Sequence, residues 1–587
     1  MSPEPFARLV LLVKERYLFR ELIHPGSFPF DSCLLNYYMN MQTVKLFLIL
    51  VVWCIANYAN ADDQRSNLLL IVADDMGFTD IGSFGGEIKT PHLDDLAASG
   101  IRLANFHAAP VCAPTRAMLM SGMDHHEAGL GSMHLMRVFD NGLAPNKEAI
   151  GYGTPEYAGY LSQRVAALPE ILQDAGYHTY MTGKWDLGRA LVQEHIPAGR
   201  GFEQSFAQLT GTALHLIPPD GGAHGGIARA EPFIYRENWD VVKELPKDYF
   251  STKTFTDKII EYIDGNKDSE QPFFAYLAFS APHFPLQVPL DWRERYKNHY
   301  DEGYDFLRAQ RIERAMKQGV LPDNVNMDRF DTGTDSWNSL LESEKLLLSR
   351  KMEIYAAMVE NMDFHIGRVL DYLVTIGERE NTFVLFMSDN GAAQTFPPPL
   401  ARGYDQSLES LGQNNSFTVY GRGWASASMA PFRDVKNSLY EGGTRAAAIV
   451  NAFSLNDHGR VSQEYLTVQD VLPTLLDVAG VSHPGSKHRG KTVNPVRGKS
   501  FFPHLKNSNI DVRGDEAVGW ELHSQRALVK GDWKIYYSGA ETADWELYNL
   551  IKDPGEQEDL SNRYPDLKKD LIKQWFNYAD EVGVAFE

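Results

Sequence analysis

Leu68-Leu69-Leu70-Ile71-Val72-Ala73 runs straight into Asp74-Asp75. An apolar run without alternation reads as a strand buried on both faces, as in parallel sheets covered by helices. In an open α/β sheet, ligands gather at the carboxyl ends of the strands. Asp74 and Asp75 therefore stand where a site would form. Two adjacent carboxylates make a seat for a hard cation. A solvated turn, where Asp is common, is the equal alternative.

The same pattern recurs far along the chain. Thr382-Phe383-Val384-Leu385-Phe386-Met387 ends in Ser388-Asp389-Asn390-Gly391. Alone, Asp-Asn-Gly is an ordinary turn. At one sheet edge, Asp74, Asp75, Asp389 and Asn390 would offer oxygen donors only, which suits Ca²⁺ or Mg²⁺. Two more strands end in polar residues. Residues 178–183 deliver Lys184-Trp185-Asp186-Leu187-Gly188, and residues 272–280 deliver Ala281-Pro282-His283-Phe284-Pro285. An isolated lysine is usually a surface residue. A histidine between prolines is usually structural, although one at the ligand edge of a strand can also carry chemistry.

Helical periods separate these strands, over residues 90–100, 167–175, 308–317, 353–373 and 566–582. Strands alternating with helices mark an α/β class. Residues 526–536 alternate like a β-hairpin. Residues 290–345 are charged and read as peripheral cover, while 394–430 are polar, glycine-rich and aromatic and read as a long surface loop. Asn414-Asn415-Ser416 is a glycosylation sequon, usable in a eukaryotic secretory pathway.

Between the first two strands lies Cys112-Ala113-Pro114-Thr115-Arg116, a C-x-P-x-R stretch followed by an apolar run. A helix opening there places Cys112 and Arg116 near its positive end. That would favour an anion and lower a thiol pKa. A buried cysteine in a loop-to-helix turn is the plain alternative.

The neighbourhood of this motif resembles the sulfatase family, and bacterial arylsulfatases in particular. The resemblance rests on residues 106–133, including Asp124-His125-His126-Glu127-Ala128-Gly129, and extends from about residue 67 to the end. It implies an alkaline-phosphatase-like sandwich with a large, mixed, mostly parallel sheet, and a smaller C-terminal α+β part with an antiparallel sheet. With a leader set apart over 1–61 by its own pattern, it implies a catalytic domain over 62–455 and a C-terminal subdomain over 456–587. It also implies that Cys112 is oxidised to formylglycine by a formylglycine-generating enzyme. One Ca²⁺ would be bound by Asp74, Asp75, Asp389, Asn390 and the residue at Cys112. Cys112, Arg116, Lys184, Asp186, His283 and Lys436 take the catalytic positions.

The implied reaction is hydrolysis of aryl, and by extension alkyl, sulfate esters. Arg116, Lys184 and Lys436 would neutralise sulfate oxygens, and His283 would steady or protonate the leaving oxygen. Asp186 departs from the family, which has histidine there. Two further readings stay open: a phosphonate or phosphate monoester hydrolase of the same superfamily, and a catalytically impaired sulfatase-like binding protein.

The 587 residues exceed one ordinary domain, and 44% hydrophobic content is normal for a globular chain. A net charge of -21 disfavours nucleic acid and anionic membrane as partners. It also requires an enzyme of anionic esters to build its own local positive field. Met41-Gln42-Thr43-Val44-Lys45, the apolar run from Leu46 to Ala56, and Ala59-Asn60-Ala61 form a signal-peptide pattern with its core at 41–61. The apolar run is short for a membrane span. The expected location is therefore exported: periplasm, extracellular space or secretory/lysosomal lumen, with no stable membrane association after cleavage. Cys33 and Cys54 fall in the leader, so Cys112 would remain as the lone cysteine.

Overall fold

Asn67–Ala73 forms β1, buried along its whole length. It belongs to a computed structural model that describes residues 65–132, 150–188, 192–217, 235–323, 325, 333–394, 403–455 and 457–586. The leader, Cys33 and Cys54 lie outside the described residues, as do residues 395–402 of the long surface loop expected over 394–430. The main sheet also contains β2 (Ile101–Leu103), β3 (His178–Lys184), β4 (Gln204–Gln208), β5 (Tyr235–Glu237), β6 (Asp240–Val241), β7 (Phe273–Ala278), β8 (Thr382–Ser388), β9 (Ala448–Asn451) and β10 (Arg460–Ser462). Their order is β10-β2-β9-β8-β1-β7-β3-β4-β5-β6.

The five central strands, β8-β1-β7-β3-β4, run parallel. β9 enters antiparallel between β8 and β2, and β5 and β6 close the other edge antiparallel. This is the large, mixed, mostly parallel sheet expected. β1 sits at its centre, with Leu70 opposite both Tyr276 and Leu385.

Alternate residues of β1 feed two different cores, because successive side chains point to opposite faces. Leu69, Ile71 and Ala73 pack with α1 (Pro91–Ala98), α4 (Ser251–Gly265), α5 (Gly303–Lys317) and α6 (Glu342–Thr375). Leu68, Leu70 and Val72 pack with α2 (Cys112–Ser121), α3 (Leu168–Asp174) and α7 (Val471–Ala479). Each fully buried Leu, Ile or Val contributes about 1.5–3 kcal/mol. Both layers thus depend on the run that reads as apolar in the sequence.

The C-terminal sheet is antiparallel in the order β11 (Val518–Leu522), β12 (Gln525–Lys530), β13 (Trp533–Tyr537) and β14 (Glu546–Asn549). Leu528, Ile535 and Leu547 face Trp575 of α8 (Pro565–Val582). Trp520, Ala527, Tyr536 and Tyr548 face the opposite way, into the core that holds Leu68. Among the described residues no helix is long and apolar enough to cross a membrane.

Two local expectations fail for identifiable reasons. α6 begins at Glu342, well before residue 353: only its first turn, Glu342-Ser343-Glu344-Lys345, is wholly polar, and the Leu346-Leu347-Leu348 run that follows is continuous rather than spaced at a helical period. Its start is capped by Glu344, whose carboxylate accepts the Leu341 N–H at 2.8 Å. Within 394–430, Arg422–Ser428 is a helix rather than loop. It is buried from Gly423 to Ser428 and so shows no amphipathic pattern. A side chain at Gly423 would meet the Tyr304 ring at 2.4 Å.

Candidate active site

Four central strands bring their carboxyl ends to one place. β1 ends at Asp74-Asp75, β8 at Asp389-Asn390, β3 at Lys184, and β7 leads to His283. α2 starts at the same edge, with extended Val111 as its N-cap and Cys112 in its first turn. Gly122 in the left-handed region stops it and accounts for the glycine after Ser121. All ten residues of α2 are buried, which is why the helix carries no polar face.

The Cys112 Sγ lies 3.4 Å from Asp74 Oδ1 and 3.7 Å from Asp75 Oδ1. The Lys436 ammonium donates to that sulfur at 3.1 Å and to Asp75 Oδ1 at 2.5 Å. Lys184 donates to Asp74 Oδ2 at 2.7 Å and stands 3.9 Å from Asp186 Oδ2. Arg116 directs Nε and one terminal nitrogen at Asp389 Oδ2, at 3.0 and 2.7 Å. Its other terminal nitrogen donates to the Lys184 carbonyl at 2.8 Å and the Tyr276 hydroxyl at 3.3 Å. His283 turns Nδ1 to the Phe284 carbonyl at 2.6 Å, which leaves Nε2 facing Asp75 Oδ2 at 3.4 Å.

Asp75 and Asp186 both hold φ values in the left-handed region, 64° and 55°. For a residue with a Cβ this conformation is costly, and such strain concentrates at functional sites. Here it turns both carboxylates into the cluster rather than along the sheet.

Burial opposes charge in this cluster, and the balance between burial and the neighbouring charges differs from residue to residue. Burial raises the Asp75 pKa, but the Lys436 and Lys184 ammoniums hold it below the ordinary carboxylate range. Burial and Asp74 together push Asp389 up despite Arg116. Burial lowers Lys184, yet the Asp74 and Asp186 carboxylates carry it above its usual value. Lys436 behaves likewise through Asp75. His283 is driven well below its usual value by burial, so it is neutral.

The thiol corrects the expectation of a lowered pKa at a helix start. Burial, reinforced by Asp389, pushes Cys112 well above an ordinary cysteine. Lys184 and Lys436 do not overcome this. An unmodified Cys112 is a protonated thiol and a poor nucleophile.

The donor set fits a hard divalent cation. Asp74, Asp75, Cys112 and His283 can bring their ligand atoms within 4.8 Å of one another. Asp389 Oδ1 accepts the Asp75 N–H at 3.1 Å, and Asn390 donates to Asp75 Oδ1 at 2.7 Å, so both join the same cluster. Asp75 Oδ2 and Asn390 Oδ1 are buried oxygens with no hydrogen-bond donor. Buried oxygens of this kind are costly unless something electropositive meets them. Carboxylate and amide oxygens suit Ca²⁺; a thiol sulfur among them does not.

Every expected site residue is thus brought to this edge. Sequence reasoning missed the supports. Tyr276 sits at mid-strand on β7, on the face toward α2, and braces Arg116. His215 donates from Nε2 to the His283 carbonyl at 2.8 Å and is anchored through Nδ1 to Ser251 at 2.8 Å. Burial holds His215 near pKa 4, so it is a neutral brace. Strand alternation could have found Tyr276; nothing local marks His215. The neighbouring Asp124-His125-His126 group is an interlock, not a metal seat. His126 lies between Asp124 and Glu521 at 2.8 and 3.0 Å, with both ring nitrogens engaged.

A ten-stranded mixed sheet with carboxylates, lysines and a buried C-x-P-x-R cysteine at its ligand edge defines a sulfatase-type site. The sulfatase family model matches residues 66–481, and the chain belongs to that family. It is 44% identical over 541 residues to an uncharacterized sulfatase of Schizosaccharomyces pombe, covering 89% of this chain and 95% of that one. It is 34% identical over 448 residues to an arylsulfatase of Klebsiella aerogenes, covering 75% and 92%. The crystal structure of Ps i-CgsB shares the fold, with a TM-score of 0.63 at 22% identity over 88% of this chain and 93% of that chain.

Proposed function

We propose that this sulfatase hydrolyses aryl sulfate esters, and alkyl sulfate esters by extension, with Cys112 converted to formylglycine and Ca²⁺ held by Asp74, Asp75, Asp389 and Asn390. One observation carries the reading. The Cys112 sulfur is placed among hard-cation ligands, 3.4 and 3.7 Å from two carboxylates, where an oxygen belongs. Replacing the sulfur by a carbonyl oxygen completes an all-oxygen ligand set. The hydrated aldehyde supplies the nucleophilic hydroxyl, and the divalent cation supplies Lewis-acid polarisation when bound.

The chain's own side chains do the rest. Lys184 and Lys436 are the cations with ammonium donors at the site, and they bind the sulfate oxygens. Arg116 serves the site through its charge and its hold on Asp389. Four of its N–H groups are committed to Asp389, the Lys184 carbonyl and Tyr276, so it holds Asp389 and adds charge rather than donating to sulfate. His283, fixed by Phe284 and His215, presents Nε2 to the leaving oxygen.

Asp186 accepts the proton that the family's histidine would accept, with Lys184 offsetting its charge. Four carboxylates here face three fixed cations, and a bound divalent cation turns the balance positive toward an anionic ester. This local field reconciles sulfate chemistry with the acidic chain.

The decisive assay compares 4-nitrophenyl sulfate with 4-nitrophenyl phosphate, using protein matured by a formylglycine-generating enzyme and a Cys112→Ala control. Sulfate turnover lost in the control supports the reading; preferred phosphate turnover supports the phosphomonoesterase alternative. Asp186 is the one observation favouring an impaired, binding-only site, and ester binding without turnover would establish that reading instead. The leader pattern over 41–61 supports an exported location. Edman sequencing of secreted protein starting at Asp62 would bear it out; an intact, cell-retained N-terminus would not.

A further inference from the structure

Lys436 lies on a loop with no regular structure of its own. Its flanking residues Asp434 and Asn437 take φ values of 65° and 72°, a path that needs outside support. Part of the support comes from the main body. The Lys436 N–H donates to the Ala392 carbonyl at 3.1 Å, and the Asn437 N–H to the Pro110 carbonyl at 2.9 Å, two residues before Cys112.

The remainder comes from the C-terminal sheet. Leu522 pairs with Gln525, so His523 and Ser524 form a two-residue hairpin turn. Their φ values, 53° and 68°, are those of a type I′ turn, which normally uses Asn-Gly. A strained tip of this kind calls for a reason, and Gln525 supplies one. Its Nε2 donates to the Asn437 carbonyl at 2.7 Å, and its Oε1 accepts the Leu439 N–H at 3.1 Å. The Tyr536 hydroxyl donates to the same Oε1 at 3.2 Å and fixes the amide's orientation. Tyr536 itself stacks on Tyr440 of the loop, with ring centroids 3.8 Å apart. The other end of the turn grips the segment after α2: Glu521 receives His126 on its carboxylate and His125 on its carbonyl.

We propose that Gln525 is a positioning residue for Lys436, and that the β11–β12 turn sets the distance between the Lys436 ammonium and Cys112. The proposal rests on the sulfatase reading for its kinetic consequence, though not for its geometry. A displacement of about 1 Å at such a group can cost on the order of 100-fold in rate.

Four matured proteins test it with 4-nitrophenyl sulfate: wild type, Gln525→Ala, Lys436→Met and the double variant, each checked for an unchanged melting temperature. Gln525→Ala is expected to lower kcat/KM by about 10- to 100-fold and to add nothing further in the Lys436→Met background. An equal loss in both backgrounds, or no loss in the first, overturns the proposal. If Lys436→Met is as active as wild type, or wild type turns over no sulfate ester, the functional reading fails separately. A crystal structure of Gln525→Ala then decides the geometry. A displaced Lys436 Nζ supports the proposal, and an Nζ still in hydrogen-bond reach of Cys112 overturns it.

Discussion

At the scale of single residues, Asp186 stands where the resemblance to the sulfatase family implies a histidine. It is buried, left-handed and 3.9 Å from Lys184, which also serves Asp74. A carboxylate there can take a proton; an amide of the same shape cannot. Asp186→Asn is expected to lower kcat by about 100- to 10,000-fold with little change in KM, read by steady-state kinetics on 4-nitrophenyl sulfate. Unchanged kcat would remove Asp186 from the proton path. Arg116 gives a second prediction. Arg116→Lys keeps the charge but loses the fork to Asp389, so Ca²⁺ affinity, measured by calorimetry, is expected to fall at least about 10-fold.

At the scale of elements, the Asp124-His126-Glu521 interlock ties the segment after α2 to the turn of the C-terminal hairpin. Burial disfavours charge on His126, but hydrogen bonds to Asp124 and Glu521 raise its pKa to about 9. Its unfolded value is about 6.5, so the stabilisation is complete below that pH and is lost as pH rises through about 9. The amount at stake is on the order of 3 kcal/mol. His126→Gln is expected to melt well below wild type at pH 6.5, and the gap should narrow by pH 9.5. A gap independent of pH would contradict a charged His126.

Elements were also where legibility varied. β1, β7 and β8 could be read because both faces are buried and the run of apolar residues is continuous. Their terminal Asp, Asn and His residues were legible as a site for the same reason, since the sheet edge follows from the strand ends. The start of α6 and the helix at Arg422–Ser428 were not legible, because one opens on a polar turn followed by an unspaced leucine run and the other is buried almost all round. The left-handed Asp75 and Asp186, and the hold of Gln525 on the Lys436 loop, depend on contacts between residues far apart in sequence, which no local pattern encodes.

At the scale of the whole molecule, a strongly acidic chain concentrates three cations and a hard-cation seat at one edge of a central sheet. That seat links β1 to β8, so filling it should stabilise the fold as well as the site. Removing Ca²⁺ with a chelator is expected to lower the melting temperature by several degrees, and added Ca²⁺ should restore it, since a ligand at 100 times its Kd adds about 2.7 kcal/mol. Asp389→Ala should abolish the Ca²⁺ response. Cys112 ties these properties together: a buried thiol with a raised pKa is a poor nucleophile but a well-placed precursor. Its most direct test is mass spectrometry of the tryptic peptide from Leu103 to Arg116, from protein made in its native host. The expected mass is that of the aldehyde, in which the Cys112 side chain CH2–SH has become CHO, with sulfur and two hydrogens lost and one oxygen gained. An intact thiol, in a host that converts a control sulfatase, would contradict it.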